Sequence, residues 1–131
     1  MEILIYLWYN QFVNNEFYGG YIMLSYIVTF FVGIICIIIG VSNMRGNISS
    51  LHSYHRNRVS DEDKIPFGKQ VGLGTIIVGV GVIIFSILSS ITLYTENNVF
   101  ALIGTAIMIV GIIVGLLISF AAMIKYNKGI F

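Results

Sequence analysis

Two imidazoles, an acidic run and a set of arginines carry most of the chemistry this sequence could do, and they crowd into one short segment. His52 and His55 lie three residues apart, so on a helix they share a face. That spacing can hold one metal ion, with a third ligand from Asp61, Glu62 or Asp63. There is no second histidine pair and no cysteine nearby. No metal site is therefore expected. The imidazoles are expected to bond locally in the seam beside the membrane or the helices; a pH-responsive role is the other reading. Arg45, Arg56 and Arg58, with the two histidines, are the candidate contacts to lipid phosphate or to a protein partner. The acidic run is expected to pair with nearby cations or to stay solvated.

Catalysis finds no support elsewhere. Ser86, Ser89, Ser90 and Ser119 have no neighbouring His or Lys to activate them. Gly79-Val80-Gly81 lies inside an apolar stretch rather than after a strand, so it is no nucleotide loop. No enzyme activity and no cofactor are expected. Net charge is +1, and nucleic acid is not an expected partner.

The elements that would position these residues are written in the distribution of charge. Only 10% of the 131 residues are charged, against about 25% in soluble domains. Mean hydropathy is +0.92. Tyr21–Val41, Val71–Tyr94 and Val99–Ile124 contain no Asp, Glu, Lys, Arg or His. Each reaches the roughly 20 residues that a helix needs to cross a bilayer. The expected fold is all-α: an integral membrane protein of three transmembrane helices (21–41, 71–94, 99–124), one membrane domain over 1–131. None of the spans holds an ionisable group of the kind that marks a pump or proton relay.

Orientation follows from the basic residues. Arg45, Arg56, Arg58, Lys64 and Lys69 lie in the 42–70 loop; Lys125 and Lys128 lie in the 125–131 tail. The N-terminal segment and the 95–98 turn have none. Lys and Arg near span ends stay on the cytoplasmic side. The expectation is a bacterial cytoplasmic membrane protein with its N-terminus out, loop in, turn out and C-terminus in. Cys36, the single cysteine, falls inside the first span and can form no intramolecular disulfide.

Residues 1–20 are apolar but lack the basic start and small-residue cleavage site of a signal peptide. They are expected in the outer interface, where Trp8 and the tyrosines are favoured. The alternative is that translation begins at Met23, which opens directly onto the first span.

Small residues form a stripe on each span. They are Ser25, Thr29, Gly33, Cys36 and Gly40 on the first; Gly72, Gly79 and Ser86, with Gly74 and Gly81, on the second; and Gly104, Gly111, Gly115, Ser119 and Ala122 on the third. Such stripes let helix backbones approach closely. They predict a compact three-helix bundle, with the Gly111–Gly115 stripe either internal or an oligomer seam.

In the loop, Ile48, Leu51, His52, His55 and Val59 fall in one sector of a helical wheel, flanked by Arg56 and Arg58. This predicts a short cytoplasmic amphipathic helix over 48–59, N-capped by Asn47 and lying on the inner membrane surface. Ser60 and Asp63 fit a capped turn, and Pro66 limits helix there. Tyr94 and Phe100 suit an outer aromatic belt, Phe67 and Tyr126 an inner one.

The stretch Gly40-Val-Ser-Asn-Met-Arg-Gly-Asn-Ile-Ser-Ser-Leu-His-Ser-Tyr-His-Arg56, the run from Val59 through Pro66-Phe67-Gly68, and the ending Lys125-Tyr-Asn-Lys-Gly-Ile-Phe131 carry a resemblance over most of residues 23–131. They resemble a family of small uncharacterised three-span bacterial membrane proteins, chiefly of Gram-positive Firmicutes. That family has no established activity, so the resemblance implies location and little else. Its members tend to begin just before the first span, and the first 22 residues depart from that.

Three functions fit these readings. The first is a non-enzymatic membrane component that binds membrane lipids or a membrane protein partner through the loop. The second is a holin-like or pore-forming homo-oligomer. The third is an immunity-type protein or an accessory subunit of a transporter.

Overall fold

The computed structural model describes residues 2–51 and 59–126, with backbone alone for residues 2, 7, 8 and 10–18. The described chain is all-helical. Helix α1 spans Glu2–Met44, α2 spans Lys64–Thr95 and α3 spans Val99–Tyr126, with a single 3-10 turn at Ile48–Ser50. All three helices are long and apolar enough to cross a membrane; the crossing part of α1 is Gly19–Met44. Many of their residues are Ile and Val, weak helix formers in water. In hydrocarbon every backbone N–H and C=O must be satisfied within its own segment, and that overrides the preference.

Residues 2–20 differ from expectation. They continue α1 without a break instead of forming a separate interfacial segment. The 43-residue helix is about 65 Å long at ~1.5 Å per residue. That is about twice the ~30 Å hydrocarbon core.

The helices form a row, not a closed bundle. α1 and α3 each pack along α2 and barely touch one another. Two registers explain this. On one side of α2, Gly79 meets Gly33 and Gly72 meets Gly40. Two turns further from the loop, Ser86 Oγ donates to the Tyr26 carbonyl at 2.5 Å. The contacts move seven residues down α1 as they move seven up α2, as an antiparallel left-handed pair requires. On another side of α2, Gly74 meets Gly115, Gly81 meets Met108 and Gly111, and Phe85 meets Gly104. The two α2 stripes point in different directions, so each receives its own neighbour.

The Gly111–Gly115 stripe therefore faces inward, and the reading of it as an oligomer seam does not fit. A Cβ on Gly115 would lie 2.5 Å from the Gly74 carbonyl oxygen, whereas one on Gly111 would make ordinary contact, 3.4 Å from the Ile77 oxygen. Away from the seams the helices expose large apolar side chains, among them Phe31, Ile35 and Ile38 on α1 and Leu102, Val110 and Leu117 on α3.

The hairpin between α2 and α3 matches its sequence. Glu96 takes a left-handed conformation (φ 54°) and its N–H closes on the Thr92 carbonyl. Asn97 Oδ1 accepts from the Val99 N–H at 3.0 Å, satisfying one of the free donors at the start of α3.

Candidate functional site at the loop end

α1 ends at Met44, where the chain reverses through Gly46 (φ +86°), a conformation that glycine adopts without a Cβ penalty. Asn47 is an N-cap, as expected, but of the 3-10 turn: its Oδ1 accepts from the Ser49 N–H at 3.3 Å. Leu51 is extended (φ −82°, ψ 150°), so no continuous helix runs from Ile48.

The physical reason is burial. Ile48 and Val59 are 4% and 5% exposed, drawn into a cluster with Phe67, Val71 and Ala122. Leu51, Met123 and Tyr126 pack around it. The apolar residues expected to face lipid face the protein instead. Ser50 Oγ, donating to the buried Asn43 Oδ1 at 2.7 Å, holds the turn against α1. His52, His55, Arg56 and Arg58 lie outside the described residues.

α2 begins seven residues earlier than its charge-free run. Asp63 precedes it, and its side chain turns back to Ser60, accepting from Oγ at 2.8 Å, while the Asp63 N–H reaches Ser60 Oγ at 3.3 Å. This is the expected capped turn. Pro66 sits in the first helical turn, where a backbone N–H would have no partner and the ring has no preceding turn to clash with. Phe67 is fully buried rather than in an interfacial belt, and meets Tyr126 edge-to-face at 6.4 Å. Lys125 Nζ lies 4.9 Å from the Tyr126 ring centre.

Between the 3-10 turn and the start of α2 lies an open polar cleft of about 660 Å³. Gly46, Asn47 and Ser49 line one side, Ser60, Asp61 and Lys64 the other. Lys64 Nζ and Asp61 Oδ1 form an ion pair at 2.5 Å. The Lys64 ammonium holds the Asp61 carboxyl below the ordinary aspartate range by hydrogen bond and charge. Arg45 is exposed and makes no ion pair among the described residues. No group of three or more His, Cys, Asp or Glu that could hold a metal occurs among the described residues.

The sequence reading missed Asn43 and Gly68. Asn43 is 2% exposed, and its carbonyl presses on Gly68, where no side chain would fit. A signal was present: Gly68-Lys-Gln-Val-Gly72 is itself a GxxxG. In the spans, Ser89 Oγ is buried and has no hydrogen-bond partner among the described residues. Other hydroxyls along the helices, Thr75, Ser90, Thr105 and Ser119 among them, bond the carbonyl four residues back.

Compared with known proteins, the chain matches no family model, no curated protein and no solved structure.

Proposed function

We propose that this chain is a non-enzymatic integral membrane protein of the bacterial cytoplasmic membrane that works through the loop joining its first two spans. There it engages anionic lipid headgroups or a membrane protein partner. The observation that carries the reading is the internal use of both glycine seams. Helices sealed to one another by Gly33, Gly40, Gly72 and Gly79 on one side, and by Gly74, Gly104 and Gly115 on the other, spend their close-packing surfaces within the chain. The polar cleft and the exposed Arg45 lie at the loop end. Arg56, Arg58 and Lys69 join them there in sequence. Each basic residue near an anionic surface contributes about 1 kcal/mol.

Resemblance to the small Firmicute membrane proteins fits this assignment and adds no chemistry. The pore-forming alternative needs a seam between copies. The bulky faces of α1 and α3 offer apolar surface for one, but the small-residue stripes that favour close helix pairing are taken.

The orientation that belongs to this reading is N-terminus out and C-terminus in. A cytoplasm-dependent reporter should be active after Phe131 and silent at Asn97. Function itself is tested by native mass spectrometry from nanodiscs. Phosphatidylglycerol should be retained over phosphatidylcholine, and replacing Arg45, Arg56 and Arg58 together by Gln should abolish the preference. Equal retention of both lipids by the native chain, with no partner crosslinked to the loop in cells, would overturn the proposal.

A further inference from the structure

We propose that the groove between α1 and α2 near the hairpin end is a retention site for one phospholipid acyl chain. The groove is a cleft of about 290 Å³ with almost entirely apolar walls. It exists because the α2 side is built from Ser86 and Ser90, while α1 supplies the rings of Tyr26 and Phe30 as walls. Small residues opposite large ones leave a trough.

The chemistry of the trough selects its occupant. The donor hydrogens of its two serines are already used. Ser86 Oγ donates to the Tyr26 carbonyl at 2.5 Å, and Ser90 Oγ to the Ser86 carbonyl at 2.9 Å. A polar ligand would give up its hydrogen bonds to water and find along the trough only the serine acceptor lone pairs in return. An apolar chain loses nothing and gains dispersion contact with the rings. The rim is continuous with the lipid-facing surface: Ile27 is 44% and Ile87 47% exposed. The trough therefore opens into hydrocarbon.

At its hairpin end stands Tyr94, 74% exposed. Among the described residues its hydroxyl has only a 3.7 Å contact to the Met23 sulfur, a weak acceptor. A tyrosine at that depth can donate to a lipid ester while its ring stays in the interface. Among the described residues of the hairpin, Glu96 is the only charged one. The site therefore selects for a chain and not for an anionic headgroup. This separates it from the loop end, whose proposed binding depends on headgroup charge, and either proposal can fail alone.

The test uses the full chain in nanodiscs containing phosphatidylcholine with a diazirine on one acyl chain. After photolysis, adducts mapped by mass spectrometry should concentrate on residues 26–30 and 86–94. They should exceed several-fold those on the exposed face of α3 (109–117), and should be unchanged when phosphatidylglycerol carries the probe. Ser90→Phe fills the trough from its floor and should remove the excess. Ile87→Trp, which fills it from the exposed rim, is the second filler should the first disturb folding. Labelling spread evenly over all exposed faces, or an excess that survives both fillers, would overturn the proposal. So would efficient disulfide-linked dimers of Ile87→Cys, which would assign the groove to a second copy.

Discussion

Gly74 and Gly115 face each other across α2 and α3, so closely that a Cβ on either would lie 2.5 Å from the other's carbonyl oxygen. Neither backbone can yield without moving its helix. The GxxxG glycine four residues earlier, Gly111, has room for a methyl group. Gly74→Ala or Gly115→Ala should therefore destabilise the protein by about 1–3 kcal/mol, the usual range for overpacking. Gly111→Ala should leave stability near native. Thermal unfolding in a single detergent checks all three. Equal loss at Gly111 and Gly115 would mean that the seam is not packed as described.

Two buried serines one turn apart should behave in opposite ways. Ser86 bonds the Tyr26 carbonyl across the α1–α2 seam. Ser86→Ala should cost about 0.6 kcal/mol and at most about 1.7, the measured range for hydrogen bonds between membrane helices. Ser89 Oγ is buried without a partner among the described residues. Ser89→Ala removes an unsatisfied hydroxyl and should be neutral or stabilising. Unfolding in mixed micelles compares the two directly.

Much of this was legible in the sequence, and the reasons differ by element. The span count and the hairpin follow from charge-free length and a four-residue link, because hydrocarbon excludes charge and open backbone. The glycine stripes at steps of seven also read clearly. Which neighbour each stripe meets did not, since a stripe fixes a face and not a partner. The start of α2 was hidden because Lys64 and Lys69 interrupt the apolar run, although helix geometry tolerates them and Pro66 at a membrane edge. The expected helix over 48–59 fails at its start for a packing reason. Ile48 and Val59 gain more by joining Phe67 than by lying on lipid, and periodicity alone cannot tell these two apolar environments apart.

Asp61 supplies a pH signature. Its carboxyl is held below the ordinary aspartate value by the Lys64 ammonium. The contact is thus fully present above the ordinary aspartate range and is lost as pH falls through the lowered value. Because Asp61 is almost fully exposed, the effect belongs to local structure and hardly to global stability. NMR titration of the side-chain carboxyl should find Asp61 titrating below ordinary aspartate, and Lys64→Gln should return it to that range. An ordinary titration in the native chain would remove the ion pair from the account.

On the proposed function, contact with other molecules is made at the loop end, while the spans are sealed by their own seams. A photocrosslinking amino acid placed in cells at Asn47, in the polar cleft, and separately at Ile113, on the exposed face of α3, tests it most directly. Position 47 should give discrete adducts, either phospholipid or one partner, which disappear when Arg45, Arg56 and Arg58 are replaced by Gln. Position 113 should give only diffuse bulk-lipid labelling. A ladder of self-multimers from position 113, with nothing discrete from position 47, would contradict it and give the pore-forming oligomer the stronger case.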